Sequence, residues 1–284
     1  MQGFEGKVAV ITGAASGIGR ALTEKCLAEG MHVVMADIEE KALRQAAEEL
    51  QSTGQNSILP VKTDVAVLTE IEHLLQQAMD TFGGVHLLFN NAGVGGGGNA
   101  WESTQKDWEW VLGVNLWSVI HGLRVFVPQM IAQDTPCHIV NTASVAGLLG
   151  GTTNASYAAT KHAVVALTEN LHRDLQTENL KIGASVLCPG LIDTNIMDSG
   201  RNRPADLTDN VAPAELTKEQ EEGRAAFAAA LKQGMQPAEL ADIVFDGIRA
   251  DRLYIKTHDM FNEMILKRAN DITKEENPLP AILF

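Results

Sequence analysis

Tyr157 and Lys161 stand one helical turn apart in Tyr157-Ala158-Ala159-Thr160-Lys161, inside a stretch whose periodicity predicts a helix over Ala155–Thr177. Residues at that spacing share a helix face, so a phenol and an ammonium would address one bound molecule. A phenol with a pKa of about 10 is a poor base near neutrality, and a nearby cation favours its ionised form. The pair is therefore suited to exchanging a proton with a substrate oxygen. Ser144, in Asn141-Thr142-Ala143-Ser144-Val145-Ala146-Gly147, follows the predicted strand Cys137–Thr142. A hydroxyl there projects over the strand ends, where it can orient the same oxygen and stabilise charge developing on it. Asn115, among apolar neighbours in Val111–Ile120, is the kind of residue that bends a helix or organises a buried water path. A satisfied core amide is an equal alternative.

Tyr-x-x-x-Lys alone arises often by chance, so its weight rests on what precedes it. Directly after a predicted first strand comes Thr12-Gly13-Ala14-Ala15-Ser16-Gly17-Ile18-Gly19. Glycines at a strand-to-helix turn let backbone N–H groups approach a pyrophosphate, and the helix start adds the positive end of its dipole. Tight turns and close helix packing also select glycine. Asp37 ends the second predicted strand, where a carboxylate accepts hydrogen bonds from the adenosine ribose and repels a 2′-phosphate. Ile38 follows it and Ser16 precedes Gly17, so neither place carries the basic residue that NADP would want. The sequence argues for NAD. Asp37 also reads as a helix N-cap before Glu39 and Glu40, a role that does not exclude ribose binding, and Asp64 carries the same ambiguity.

These groups must be held by a scaffold. Lys7–Thr12, His32–Ala36, Ile58–Lys62 and His86–Phe89 read as strands, joined later by Cys137–Thr142, Ile182–Cys188 and Leu253–Lys256. Val8 to Ile11 is apolar without interruption, as in a parallel strand covered on both faces. Helical periodicity fits Gly17–Glu29, Glu39–Thr53, Val67–Phe82, Gln105–Gln129 and Ala155–Thr177. Strand–helix alternation with right-handed crossovers predicts an α/β fold, a Rossmann-type doubly wound parallel sheet of about seven strands. No linker divides residues 1–284, so one domain is expected, with a polar segment at 195–230 that is a candidate substrate lid.

Composition narrows the partners. Lys and Arg number 22 against 36 Asp and Glu, a net charge of −14 that repels nucleic acid and anionic lipid. Met1 to Gly6 show no basic stretch leading into an apolar run, and no uninterrupted apolar stretch reaches the roughly 20 residues of a membrane helix. A soluble, cytoplasmic protein is expected. Cys26, Cys137 and Cys188 form no C-x-x-C pair and read as buried thiols. The eight histidines contain no H-x-x-x-H, so no metal is expected, and His162 beside Lys161 reads as packing or surface.

The glycine turn, Asp37, Asn90-Asn91-Ala92-Gly93, Ser144 and Tyr157 with Lys161 together resemble the short-chain dehydrogenase/reductase family in its single-domain, NAD-preferring form. The resemblance runs on through Pro189-Gly190-Leu191-Ile192-Asp193-Thr194 and covers about Lys7 to Thr257. It implies a catalytic tetrad. Tyr157 would be the acid/base and Ser144 the carbonyl polariser. Lys161 would be the phenolate stabiliser and a nicotinamide-ribose ligand, and Asn115 the holder of a proton-relay water. It further implies that NAD lies against Gly13, Ser16, Gly17, Ile18, Gly19, Asp37, Ile38, Asp64 and Val65, then Asn90, Ala92, Gly93, Pro189, Gly190, Ile192 and Thr194, with hydride leaving the B face of the nicotinamide. Asn90 to Gly93 would line the adenosine side, and Thr194 would touch the carboxamide.

By the same resemblance Val94, Val145, Leu148, Leu149, Leu191, Ile192 and Met197 surround the reacting carbon. So apolar a lining favours an aromatic, alicyclic or steroid-like secondary alcohol or ketone, although Arg201 or Arg203 would add charge if the polar segment folds over. Trp108, Trp117, Val125, Val165 and Leu171 lie on helices that family members pair across two-fold axes, which implies a homotetramer, with a dimer as the alternative. The apolar Pro278–Phe284 end is expected to dock on a neighbour. Gly95–Gly98 reads either as a widened substrate entrance or as a flexible loop. Two rivals are a 3-oxoacyl thioester reductase, which Asp37 and the acidic surface oppose, and a non-catalytic NAD sensor, which would have no need of Tyr157 and Lys161.

Overall fold

Val8–Thr12 is buried at every position and forms β1, the strand from which the sheet spreads in both directions. In the computed structural model, which describes residues 1, 3–51, 57–96, 98–150, 154–208 and 217–278, the other strands are β2 (His32–Asp37), β3 (Ile58–Lys62), β4 (Leu87–Asn90), β5 (Cys137–Thr142), β6 (Ile182–Cys188) and β7 (Tyr254–Lys256). They make one parallel sheet in the order β3-β2-β1-β4-β5-β6-β7. The chain winds outward from β1 to β3, then returns to lay β4 on the other side of β1. At that reversal the loops after β1 and β4 leave in opposite directions, which opens a crevice at the carboxyl ends of the strands.

The helices are α1 (Gly17–Ala28), α2 (Glu40–Gln51), α3 (Leu68–Phe82), α4 (Gln105–Leu112), α5 (Ser118–Gln133), α6 (Ala155–Thr177), α7 (Lys218–Lys232), α8 (Pro237–Arg249) and α9 (Asn262–Lys274). Alternation along β1 shows how the layers form. Ala9 and Ile11 join Leu22 of α1, Leu43 of α2 and Phe245 of α8 in one core, while Val8 and Val10 face Leu74 of α3, Phe126 of α5 and Leu175 of α6 in another. Both faces of the sheet are therefore covered, as its continuous apolar strands require. Cys26, Cys137 and Cys188 are buried thiols.

The helix expected over Gln105–Gln129 runs further and is not uniform. Thr104 caps α4 in a reciprocal box with Asp107, Gly113–Trp117 widens into a π turn around Asn115, and α5 continues past Pro128 to an αL stop at Asp134. The whole 29-residue run is long and apolar enough, by length and composition, to cross a bilayer, although 44% of its most apolar window is buried inside the fold. Val165 is buried, Val125 and Leu171 pack against the second core, and Trp117 stays 48% exposed.

The polar segment at 195–230 folds into 3-10 turns at Ile196–Asn202 and Ala205–Leu207, with α7 beginning at Lys218. Its beginning is pinned by an isolated parallel bridge between Ile192 and Met235. The apolar end expected to dock on a neighbour falls, after Pro278, outside the described residues, as does Gly97 of the glycine run.

A buried polar chain joins the sheet to α5 and α6. The Asn90 amide donates to Asn141 Oδ1 (2.8 Å), the Asn141 amide to Thr168 Oγ1 (3.0 Å), and the Thr168 hydroxyl to the Val164 carbonyl (2.7 Å). Gly122 on α5 lies against this chain so closely that a Cβ there would fall 2.2 Å from Asn90 Oδ1. Gly122→Ala should therefore cost about 1–3 kcal/mol through overpacking and lower Tm by several degrees in calorimetry. An unchanged Tm would contradict this account of the contact.

Candidate active site

The turn after β1 is shaped by lack of side chains. Gly13 and Gly17 sit at φ +67° and +53°, a region L-residues rarely adopt. A Cβ on Gly13 would also meet the Ala92 Cα at 3.0 Å, one on Gly17 the Thr194 methyl at 3.2 Å, and one on Gly19 the Gly13 carbonyl oxygen at 2.0 Å. The first turn of α1 thus lies flush against the strand ends, with Thr194 facing it from beyond β6. Ser16 is exposed and its hydroxyl makes no capping bond, and the first turn of α1 holds no acidic residue. This helix start offers an anion N–H groups and the uncompensated positive end of the dipole.

Asp37 closes the acidic side. Its Oδ2 accepts from Ala15 N (3.0 Å) and its Oδ1 from Glu39 N (3.0 Å), so it braces the glycine turn and caps the approach to α2. Its bond to Glu39 N is the cap-like contact, and the carboxylate keeps lone pairs beyond those two bonds. Asp64 accepts from Ala66 N (3.0 Å) and takes a local turn role. Ile38 is exposed at the rim and Val65 is buried. The Asn90 side chain points into the buried chain described above, leaving its main chain to face the crevice.

Two organising residues escaped the sequence reading. Thr12 Oγ1 donates to the Phe89 carbonyl (3.2 Å) and accepts from Asn91 N (2.9 Å) and Ala92 N (3.0 Å), while the Asn91 amide donates to the Thr12 carbonyl (2.9 Å). One hydroxyl fixes the loop after β4 onto the end of β1. The signal was a threonine ending an apolar strand just before Gly13.

That loop carries the crevice into the proton-transfer site. A Cβ on Gly93 would lie 3.5 Å from both Asn115 Oδ1 and Lys161 Nζ. Asn115 grips Val94 at both main-chain atoms, accepting from its N (2.8 Å) and donating to its O (2.9 Å). It is thus a fully engaged amide at a π turn, and turns of this kind recur at functional sites. Ser144 ends β5 in an extended conformation and accepts from Ala146 N (3.1 Å). Tyr157 lies in the first turn of α6, where Asn154 Oδ1 caps its N at 3.1 Å, and the Ser144 side chain is near enough to its hydroxyl to favour the ionised form. Lys161, one turn on, is buried with Nζ 5.4 Å from the Tyr157 ring centre, and donates to the Thr142 carbonyl at 2.9 Å.

The electrostatics differ from expectation. Burial raises the Tyr157 pKa, opposed in part by the Ser144 hydrogen bond, and burial lowers Lys161 from 10.5 to about 8. The ammonium does not by itself bring the phenol down, because both ions suffer the same desolvation and the ammonium is committed to Thr142.

The anticipated substrate wall divides between clusters. Val94 packs with Trp110, Val111 and Leu207, whereas Val145 and Leu149 pack with Phe261, just before α9, and with Met264 and Ile265 of α9. Leu148 rests on the Val164–Val165 cluster of α6. Ile192 is a core residue beside Met235 rather than a wall residue, and the Leu191 carbonyl accepts from Met235 N (3.0 Å). Met197 is half-buried in the 3-10 turn. Pro189 accepts from Val145 N (2.9 Å) and Gly190 donates to Thr257 Oγ1 (3.0 Å), so these two shape the loop beyond β6. His162 bonds the Ala158 carbonyl (2.9 Å) and packs on its own helix. Among the described residues no group of three His, Cys, Asp or Glu could hold a metal ion.

With the geometry in place, comparison with known proteins is informative. The family model for short chain dehydrogenase matches residues 7–205. A short chain dehydrogenase/reductase from Burkholderia phymatum, solved in complex with NAD, is 43% identical and superposes with a TM-score of 0.95 over 100% of both chains. A CLA biosynthesis dehydrogenase/reductase of Lactiplantibacillus plantarum is 34% identical, spanning 98% of this chain and 97% of its own. The 1-deoxy-11-beta-hydroxypentalenate dehydrogenase of Streptomyces avermitilis is 33% identical, spanning 96% of each chain.

The buried lysine has a measurable consequence. Between pH 8 and 10.5 the unfolded chain holds the Lys161 proton and the folded chain has released it, so folding is penalised fully below pH 8 and the penalty fades as pH rises through this window. On this basis the penalty is on the order of 3 kcal/mol. Lys161→Met should therefore be more stable than the parent to denaturant at neutral pH, and the gap should close towards pH 10.5. A gap that does not vary with pH would refute this assignment.

Proposed function

The chain belongs to the short-chain dehydrogenase family, and on that premise we propose that it interconverts a hydrophobic secondary alcohol and its ketone with NAD. The observation that carries the reading is the buried Lys161 ammonium, 5.4 Å from the Tyr157 ring centre and bound to the Thr142 carbonyl, with Gly93 of the loop after β4 beside it.

The residues fit a nicotinamide dinucleotide. Gly13 and Gly17 form a cradle that side chains would fill, Ser16 and the start of α1 suit its pyrophosphate, and Asp37 and Ile38 suit its adenosine end. Asn91, Ala92 and Gly93 would border it on the β4 side, and Thr194 from beyond β6. Bound NAD supplies an acceptor for the hydride. Tyr157 takes the alcohol proton in the oxidising direction and returns it in the reducing one. Ser144 would donate its hydroxyl hydrogen to the substrate oxygen, since its bond with Ala146 N is one it accepts. Lys161 holds positive charge beneath the phenol, and Asn115 holds Val94 and Gly93 in line between the two halves of the site.

Support for the substrate class comes from the lining. Val94, Val145, Leu149, Trp110 and Phe261 are buried and apolar beside the reacting groups. The relative from Streptomyces avermitilis is named for a hydroxypentalenate, a likeness consistent with an alicyclic alcohol. Exposed Trp117 and Ile131 on the α4–α5 run favour assembly through that helix, as a homotetramer or a dimer.

Purified protein should reduce NAD, and NADP poorly, with a panel of aromatic and alicyclic secondary alcohols, followed by absorbance of the reduced nicotinamide. Tyr157→Phe should lower kcat/KM by roughly 10²–10⁴-fold while dinucleotide binding persists. Undiminished turnover in that variant would overturn the mechanism.

A further inference from the structure

The segment that follows β6 reaches back across the sheet to the residue two positions beyond Asp37. Arg201 donates to Glu39 Oε1 from Nε (3.0 Å) and from Nη2 (2.6 Å), Asn202 Nδ2 donates to the same oxygen (2.8 Å), and Arg201 Nη1 holds its own segment at the Asp198 carbonyl (2.9 Å). Glu39 is in turn tied to the crevice, for its N donates to Asp37 Oδ1 while Asp37 Oδ2 accepts from Ala15 of the glycine turn. A continuous path of hydrogen bonds thus runs from the pyrophosphate turn to the segment at 196–202. The other charges on this edge are engaged elsewhere. Glu40 pairs with Arg44 (2.8 Å), and Lys62, in register with Asp37, acts on Glu40.

An isolated exposed ion pair contributes little to stability, and three donors converging on one carboxylate oxygen are more than the segment needs to stay attached. Their placement has a chemical consequence. Arg201 brings a full positive charge to the edge where a ribose 2′-hydroxyl and a 2′-phosphate are told apart, and a guanidinium is the side chain best shaped to grip a phosphate. Its Nε and Nη2 are committed to Glu39, and its Nη1 to the Asp198 carbonyl.

We propose that Glu39 and Arg201 form a clasp that selects the cofactor: Glu39 occupies the guanidinium and keeps the ribose edge acidic, so that a 2′-phosphate is excluded, while the bridged segment holds the bound dinucleotide in place. The inference rests on the reading of Asp37 as the ribose acceptor and adds a determinant that lies far away in sequence. Glu39 and Arg201 are positioning and selectivity residues here, since neither meets the reacting atoms.

Dissociation constants for NADH and NADPH, read from fluorescence of the reduced nicotinamide with no substrate present, test the clasp. Glu39→Gln preserves shape and removes the charge that occupies Arg201. It should shift the NADPH:NADH affinity ratio towards NADPH by about tenfold or more. Arg201→Ala should weaken NADH severalfold, and in the Glu39→Gln background it should abolish the gain in NADPH affinity. A ratio unmoved by Glu39→Gln, or a gain that survives loss of Arg201, overturns the proposal. A parent protein that prefers NADPH would instead overturn the reading of Asp37, with the ratio shift in Glu39→Gln still deciding the clasp.

Discussion

The site depends on how closely two strand ends are drawn together where the chain reverses its winding. Gly13 stands 3.0 Å, measured from where its Cβ would be, from Ala92 Cα, and the Thr12 hydroxyl binds two consecutive N–H groups of the loop that Ala92 belongs to. This contact does more than close a turn. It determines where Gly93 and Val94 emerge, and those two residues are what Asn115 and Lys161 meet. The anion-binding turn and the proton-transfer pair are thus referred to one backbone junction, and geometry at one reaches the other without any flexible link between them.

Burial then sets the chemistry in opposition to stability. Lys161 is 3% exposed and its ammonium is answered by one carbonyl and a nearby aromatic ring. A phenol beside it is driven towards neutrality by the same loss of solvent, so neither group reaches its working ionisation through the other alone. Groups shifted this far by burial, side by side in a cleft, are what a functional site holds. Stored cost of this kind is common where function and folding place opposite demands on one residue.

The sequence made the frame legible because each strand is either continuously apolar or ends on a turn residue, and a strand covered on both faces leaves that mark wherever it occurs. Tyr157, Lys161 and Ser144 could be placed by helix pitch and a strand end, whereas Asn115 was placed only by family resemblance. What could not be read depends on distant neighbours. Asn90 looked like a crevice residue until Asn141 and Thr168 supplied its buried partners, and Ile192 until Met235 drew it into the core. The walls near the C-terminal end were hidden for another reason: Phe261 precedes α9, Met264 and Ile265 sit in that charge-rich helix, and only the surface they cover shows what they are for. The depressed lysine pKa was equally out of reach, since desolvation is a property of the finished core and not of any local motif.

The segment at 196–208 is fastened differently from everything beneath it. The sheet and its flanking helices are held by extensive apolar clusters, but this segment has Leu207 beside Trp110 as its apolar contact with them, and its other attachments are polar: Arg201 on Glu39, Ser199 accepting from Gly95 N, and Arg203 on Asp107 with its guanidinium 5.4 Å from the Trp110 ring. In the Asp107 attachment Arg203 Nη2 is buried without a hydrogen-bond partner among the described residues. Ion pairs at partly exposed positions hold weakly and exchange with water or salt, whereas apolar cores release only on unfolding. Detaching the segment would therefore break a few polar contacts while leaving both cores whole. Such a division of labour leaves the sheet and α6, which hold Ser144, Tyr157 and Lys161, independent of the contacts that fasten this segment.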